Sequence, residues 1–144
     1  TTMFEPTATM MEQEGSGYIV ASVGQDSGEI PYTAYFALKS YINENEETIQ
    51  KFTNAIAKAQ KWLAEADPKE IAETIAEFFP DTDLEVLEQV AARYQEIDAW
   101  MADPFMTEDS FNRLQDVMEG AGELSSRAPY SELVNNSFAE KAMK

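Results

Sequence analysis

The chain is 144 residues long with an apolar fraction of 44%, enough for one domain that buries roughly two thirds of the surface its unfolded form exposes. Ten Lys and Arg against 27 Asp and Glu give a formal charge of −17, which repels phosphate backbones and leaves no basic stripe, so nucleic acid is excluded as a partner. Neither histidine nor cysteine occurs, which removes disulfides, thiolate nucleophiles, imidazole metal ligands and imidazole-based triads.

Taken in chain order, "FEPTATMMEQEG" predicts a strand end feeding a short helix over about 6–14. Pro6 suits the first helical position and Gly15 the left-handed position after the last turn. "GYIVASV" and "IPYTAYFAL", rich in β-branched and aromatic residues and separated by the turn-forming "GQDSGE", predict two strands, with Pro31 holding the second to an edge or a strand start.

Helix dominates from there on. In "NEETIQKFTNAIAKAQKWLAEA", Asn45 is the expected cap, and Ile49, Phe52, Ile56, Ala59 and Leu63 recur at intervals of three and four. "DPKEIAETIAEFFP" offers Asp67 as cap, Pro68 at the first position and Glu70 reaching back. "TDLEVLEQVAARYQEIDAWMA" predicts a Thr82/Glu85 capping box and a face of Leu84, Leu87, Ala91 and Tyr94. "TEDSFNRLQDVMEGAG" starts at Thr107, buries Phe111, Leu114 and Met118, and ends at Gly120 or Gly122; "SELVNNSFAEKAMK" is a weaker last helix.

Two apolar strands are too few to satisfy each other, so they expect neighbours on their open edges. Together with a first residue, Thr1, that falls in mid-element, this leads to the expectation of a companion segment, either an N-terminal half or a second copy pairing the strand edges.

The order "FEPTA", "GYIVAS", "GEIPYTAYFALKSYI", "NENEETIQKFTNAIAKAQKW", "FFPDTD", "RYQEIDAW", "RLQDVMEGAGEL" resembles the C-terminal half of bacterial solute-binding proteins of ABC importers. The group is the one that handles thiamine pyrimidine precursors, alkanesulfonates and nitrate. The resemblance implies an α/β fold: a fragment of a two-lobed, type II periplasmic-binding-protein-like clamshell, two strands followed by mostly helices. Residues 1–16 would end the second lobe, and 17–144 would form the return crossing and the helices completing the first. It further implies a small-molecule ligand held by hinge closure, an ABC permease as partner, an extracytoplasmic location, and no cofactor, metal or catalysis. Relatives that synthesise the thiamine pyrimidine use histidine and cysteine, which this chain lacks. A free-standing acidic helical protein-interaction domain is the reading from a different class.

By the same resemblance the turn of Phe4, Glu5 and Pro6 faces the ligand, and Tyr32 and Thr33 offer a stacking face and a hydroxyl. A carboxylate accepts two parallel hydrogen bonds from an amidine-like edge and repels a sulfonate, so Glu5 favours an aminopyrimidine-like ligand. Trp62 and Trp100, set among charged residues on helices, read as packing groups. "DTDLE" lacks the glycine and glutamate of a calcium loop, since Val86 and Ala92 stand at those places.

Overall fold

The computed structural model describes residues 1–144. In chain order the helices are α1 (Thr7–Gln13), α2 (Val23–Ser27), α3 (Lys39–Glu44), α4 (Glu46–Glu65), α5 (Pro68–Ile75), α6 (Leu84–Glu96), α7 (Glu108–Gly120), α8 (Tyr130–Leu133) and α9 (Ser137–Ala142), with a single 3-10 turn over Ala76–Phe78. No helix is long and apolar enough to cross a membrane.

The fold is all-helical, which corrects the expected α/β clamshell fragment and both of its strands. "GYIVAS" runs without a ladder into α2, and "IPYTAYFAL" runs without one into α3. The physical reason is the one that made two strands precarious. β propensity measures how well a side chain packs on a pleated surface, and with no third strand there is no such surface to pack on. With no strand formed, no strand edge remains for a partner to pair.

Helix ends follow the local sequence closely. Gly15, at φ 72°, closes α1: its N–H donates to the Glu12 carbonyl while the Ser16 N–H donates to that of Met11, the paired bonds of a Schellman motif. Asp67 caps α5 by accepting from the Lys69 N–H at 2.9 Å, with Pro68 at the first position; Thr107 caps α7 by accepting from the Ser110 N–H at 3.1 Å. Two expected caps are not made. Asp83, not Thr82, stands at the cap of α6 and its side chain makes no capping bond, while the Asn45 amide turns back to donate to the Tyr41 carbonyl at the end of α3.

The chain divides into two compact units, Thr1–Asp26 with Trp62–Met101, and Ser27–Lys61 with Ala102–Lys144. The core of the first is the α5–α6 hairpin, burying Ile71 and Ala72 of α5 and Val86, Leu87, Val90 and Ala91 of α6, with α1 packed alongside and Thr9 fully buried. Gln95 of α6 donates to the carbonyls of Leu63 and Ala66, at 2.9 Å each, and so ties the end of α4 to this hairpin.

In the second unit the buried side chains are fewer: Ser110, Phe111 and Gln115 of α7, and Phe138 and Ala139 of α9. Phe111 meets Tyr130 edge-on at 5.7 Å, and the Tyr130 hydroxyl and the Asn136 amide both donate to the Met106 carbonyl. The amphipathic α4 buries no residue completely, so its apolar stripe is only half covered.

Candidate functional site

The residue spacing Glu5, Thr9, Glu12 places three oxygen-bearing side chains on one side of α1 and the turn that leads into it. Arg93 lies on α6 seven residues after Val86 and three after Val90, on the face that those two bury. The two elements therefore bring a guanidinium against two carboxylates. One terminal nitrogen of Arg93, Nη1, donates to Glu5 Oε1 at 2.9 Å and to Thr9 Oγ1 at 2.8 Å; the other, Nη2, donates to Glu12 Oε2 at 2.8 Å.

Each carboxylate has a second duty. Glu5 Oε2 accepts from the Thr9 N–H at 3.0 Å, serving as a cap for α1 where Pro6 offers no side-chain bond. Glu12 Oε1 accepts from the Ile19 N–H at 3.1 Å and so fastens the segment that follows the helix. The Glu5 side chain is 8% exposed and that of Arg93 21%, so the pair sits mostly out of water.

Burial opposes the charge on Arg93, but its bonds to Glu5 and Glu12 prevail and raise its pKa above the ordinary guanidinium value. The Ile19 N–H first, and then Arg93, hold Glu12 below the usual carboxylate range. Tyr94 is pushed upward, chiefly by burial and also by the negative charge of Glu5. Its ring meets that of Trp100 edge-on at 5.4 Å. The cluster thus holds two carboxylates against one guanidinium, beside an aromatic pair. Its polar groups are of the kind that orient an amine-bearing or cationic group by hydrogen bonds.

Of the residues singled out from sequence, Phe4, Glu5 and Pro6 lie in the first unit at the start of α1, and the Phe4 ring is largely exposed. Tyr32 and Thr33 lie in the second unit on the irregular segment before α3, both exposed. Trp62 donates its indole N–H to Glu70 Oε1 at 3.1 Å, which takes Glu70 away from the capping role expected of it. Arg93, Thr9 and Glu12 were not singled out. The signal was present: a cation at the i+7 position of an apolar α6 stripe calls for an anionic partner.

The second unit carries a separate open groove of about 600 Å³, lined among others by Asn112, Gln115, Arg127 and Tyr130. Arg127 is already engaged there, with Asp116 at 2.6 Å and the Asn112 carbonyl at 2.9 Å.

No family model and no solved structure matches the chain at significance. The chain is similar to "Putative binding protein YtlA" of Bacillus subtilis (strain 168), with 44% identity over 139 residues, which cover 96% of this chain and 42% of that protein. The chain thus spans less than half the length of the curated relative it matches.

Proposed function

We propose that this chain is part of a non-catalytic binding protein that captures a small amine-bearing heteroaromatic molecule, of the aminopyrimidine type found in thiamine precursors, outside the cytoplasm for an ABC permease. The observation that carries the reading is the 44% identity, along nearly the whole chain, to a protein described as a binding protein. The Glu5 cluster supports the ligand class. Glu5 Oε1 already receives one planar N–H donor from Arg93, a donor of the kind that an aminopyrimidine also carries, and an anionic sulfonate or nitrate would be repelled by the excess carboxylate. The Phe4, Glu5 and Pro6 turn supplies the contacts in this reading, and the ligand exchanges with Arg93 at Glu5.

The test is calorimetric titration of the chain with 4-amino-5-hydroxymethyl-2-methylpyrimidine and, separately, with ethanesulfonate. The reading expects the pyrimidine to bind and Glu5→Gln to weaken it at least tenfold. Tight binding of the sulfonate with the pyrimidine ignored would overturn the choice of ligand.

One observation favours a second reading, that of an acidic helical protein-interaction domain: the fold is helical throughout and needs no sheet. A chain that binds neither small molecule but forms a stoichiometric complex with a basic protein would support that reading instead.

A further inference from the structure

The second unit displays an uncharged strip. Ile30 to Leu38 are nine consecutive residues without Asp, Glu, Lys or Arg, in a chain of which 26% is one of those four. Both ends of the strip are fixed. At its start, Arg113 donates to the Glu29 carbonyl at 2.8 Å and Thr107 donates to the Glu29 carboxylate at 3.3 Å; at its end, α3 begins at Lys39. Between these anchors the apolar side chains face solvent: Tyr35 is 77% exposed, Phe36 98% and Leu38 76%. The Tyr35 ring stands edge-on to Phe52 of α4 at 4.8 Å, so the strip is held in place and is not a loose tail.

These three side chains alone present on the order of 500 Å² of apolar surface, as much as the largest patch of a typical soluble monomer, and such patches are often functional. The absence of charge through the strip, with Glu29 and Lys39 at its edges, is the composition of an interface centre with a polar rim. A second copy of the chain is a poor occupant, since it would bring another −17 against this one. The relative of which this chain matches 42% carries more than half of its length outside the match, and that is enough polypeptide to cover the strip.

We infer that the strip Tyr35–Phe36–Leu38 is the docking surface for further polypeptide of the same protein, the portion corresponding to the part of the Bacillus relative outside the match. The contact is made by side chains burying against an apolar counter-surface. The inference rests on the proposal that the chain is part of a longer binding protein, and it adds which surface joins the rest.

The experiment is hydroxyl-radical footprinting read by mass spectrometry, without ligand, on three samples: the 144-residue chain, the intact Bacillus relative, and a chimera in which this chain replaces the matched part of that relative. In the chain alone, Tyr35, Phe36 and Leu38 label heavily and sedimentation gives a monomer. In the chimera their labelling falls at least fivefold, Phe36→Glu restores it, and the aligned positions of the intact relative are protected in the same way. Equal labelling of those positions in the chain and in the intact relative overturns the inference, whether or not the chimera folds. Protection in the chain alone, with a dimer mass that Phe36→Glu abolishes, also overturns it and assigns the strip to a second copy. Loss of ligand binding with the footprint unchanged would count against the proposed function and leave this assignment standing.

Discussion

Replacing Arg93 by Met removes the guanidinium and keeps most of the aliphatic stem, so the change isolates the ion-pair cluster from packing. Three hydrogen bonds are lost, to Glu5, Thr9 and Glu12. The bond to Glu12 is the more exposed and is weakened by solvent screening, so it contributes little. The larger loss is at Glu5, whose side chain is almost fully buried and would keep a single donor, the Thr9 N–H. Leaving a buried carboxylate short of its partner costs roughly 2–3 kcal/mol, and that sets the loss expected of the variant.

Both tryptophans, Trp62 and Trp100, belong to the first unit, so fluorescence during urea unfolding reports on that unit by itself. The expected loss lowers the midpoint by roughly 2 M for a unit of this size. Glu5→Gln alone should cost less, about 1–1.5 kcal/mol, because the amide oxygen still accepts from Thr9 and Arg93 keeps Glu12. The double variant should then recover about 2 kcal/mol relative to the sum of the singles. A loss below 1 kcal/mol for Arg93→Met, or strict additivity, would refute the claim that this pair fastens α1 to α6.

Three further outcomes follow from individual contacts. Glu12 is held below the ordinary carboxylate range, so its bond to the Ile19 N–H is present above that range and is lost as pH falls through the depressed value. The Ile19 amide resonance should shift, and its hydrogen exchange accelerate, only in strongly acidic solution; a midpoint at an ordinary glutamate value would contradict this. Tyr94 is raised, so the folded unit keeps its phenol neutral and loses stability as pH climbs from about 10 through that raised value. Ultraviolet difference titration should show one tyrosine ionising late, and Glu5→Gln should bring it earlier. Asp98 occupies a left-handed position, φ 53°, closing α6 with the Ala99 N–H donating to the Tyr94 carbonyl. Asp98→Gly should therefore raise the urea midpoint by an amount worth about 0.5–1 kcal/mol, and a fall would show that the Asp98 side chain has a role of its own.

What could be read from the sequence divides by the range of the interaction that fixes it. Asp67 with Pro68, Thr107, Gly15 and Gly122 end their helices as expected, because a cap bond or a left-handed turn closes within three to five residues of the chain. The α6 face was right at Leu87 and Ala91 and missed Val86 and Val90, since the true face is turned toward α5 and only the packing partner decides the turn. The strand readings at "GYIVAS" and "IPYTAYFAL" failed because a strand is completed by residues far away or in another segment, and propensity carries no information on whether they are there. The sequence reading of Glu5 was a ligand contact, whereas the fold engages it with Arg93, 88 positions on, and with the Thr9 N–H; the first of these partnerships depends on α1 packing against α6 and so leaves no local trace.

The same distinction bears on where affinity for a ligand would come from. A site made of Glu5, Thr9, Glu12 and Arg93 is internally satisfied: its donor–acceptor pairs are already at 2.8–3.0 Å, so a ligand that enters must replace a bond of equal quality. Exchange of one planar N–H donor for another is close to neutral in hydrogen-bond energy. Net affinity must then arise from apolar surface that the ligand and the surrounding protein remove from water together. In the first unit the aromatic groups tied to the cluster by sequence or charge are the exposed Phe4 ring, next to Glu5, and the Tyr94–Trp100 pair, which is modest for a tight site. On the proposed function the polar cluster would set which ligand is accepted, and burial by additional polypeptide would set how tightly. A Glu5→Gln change should alter selectivity between amine and sulfonate ligands in the isolated chain and in the chimera alike, whereas only the chimera should hold the preferred ligand strongly.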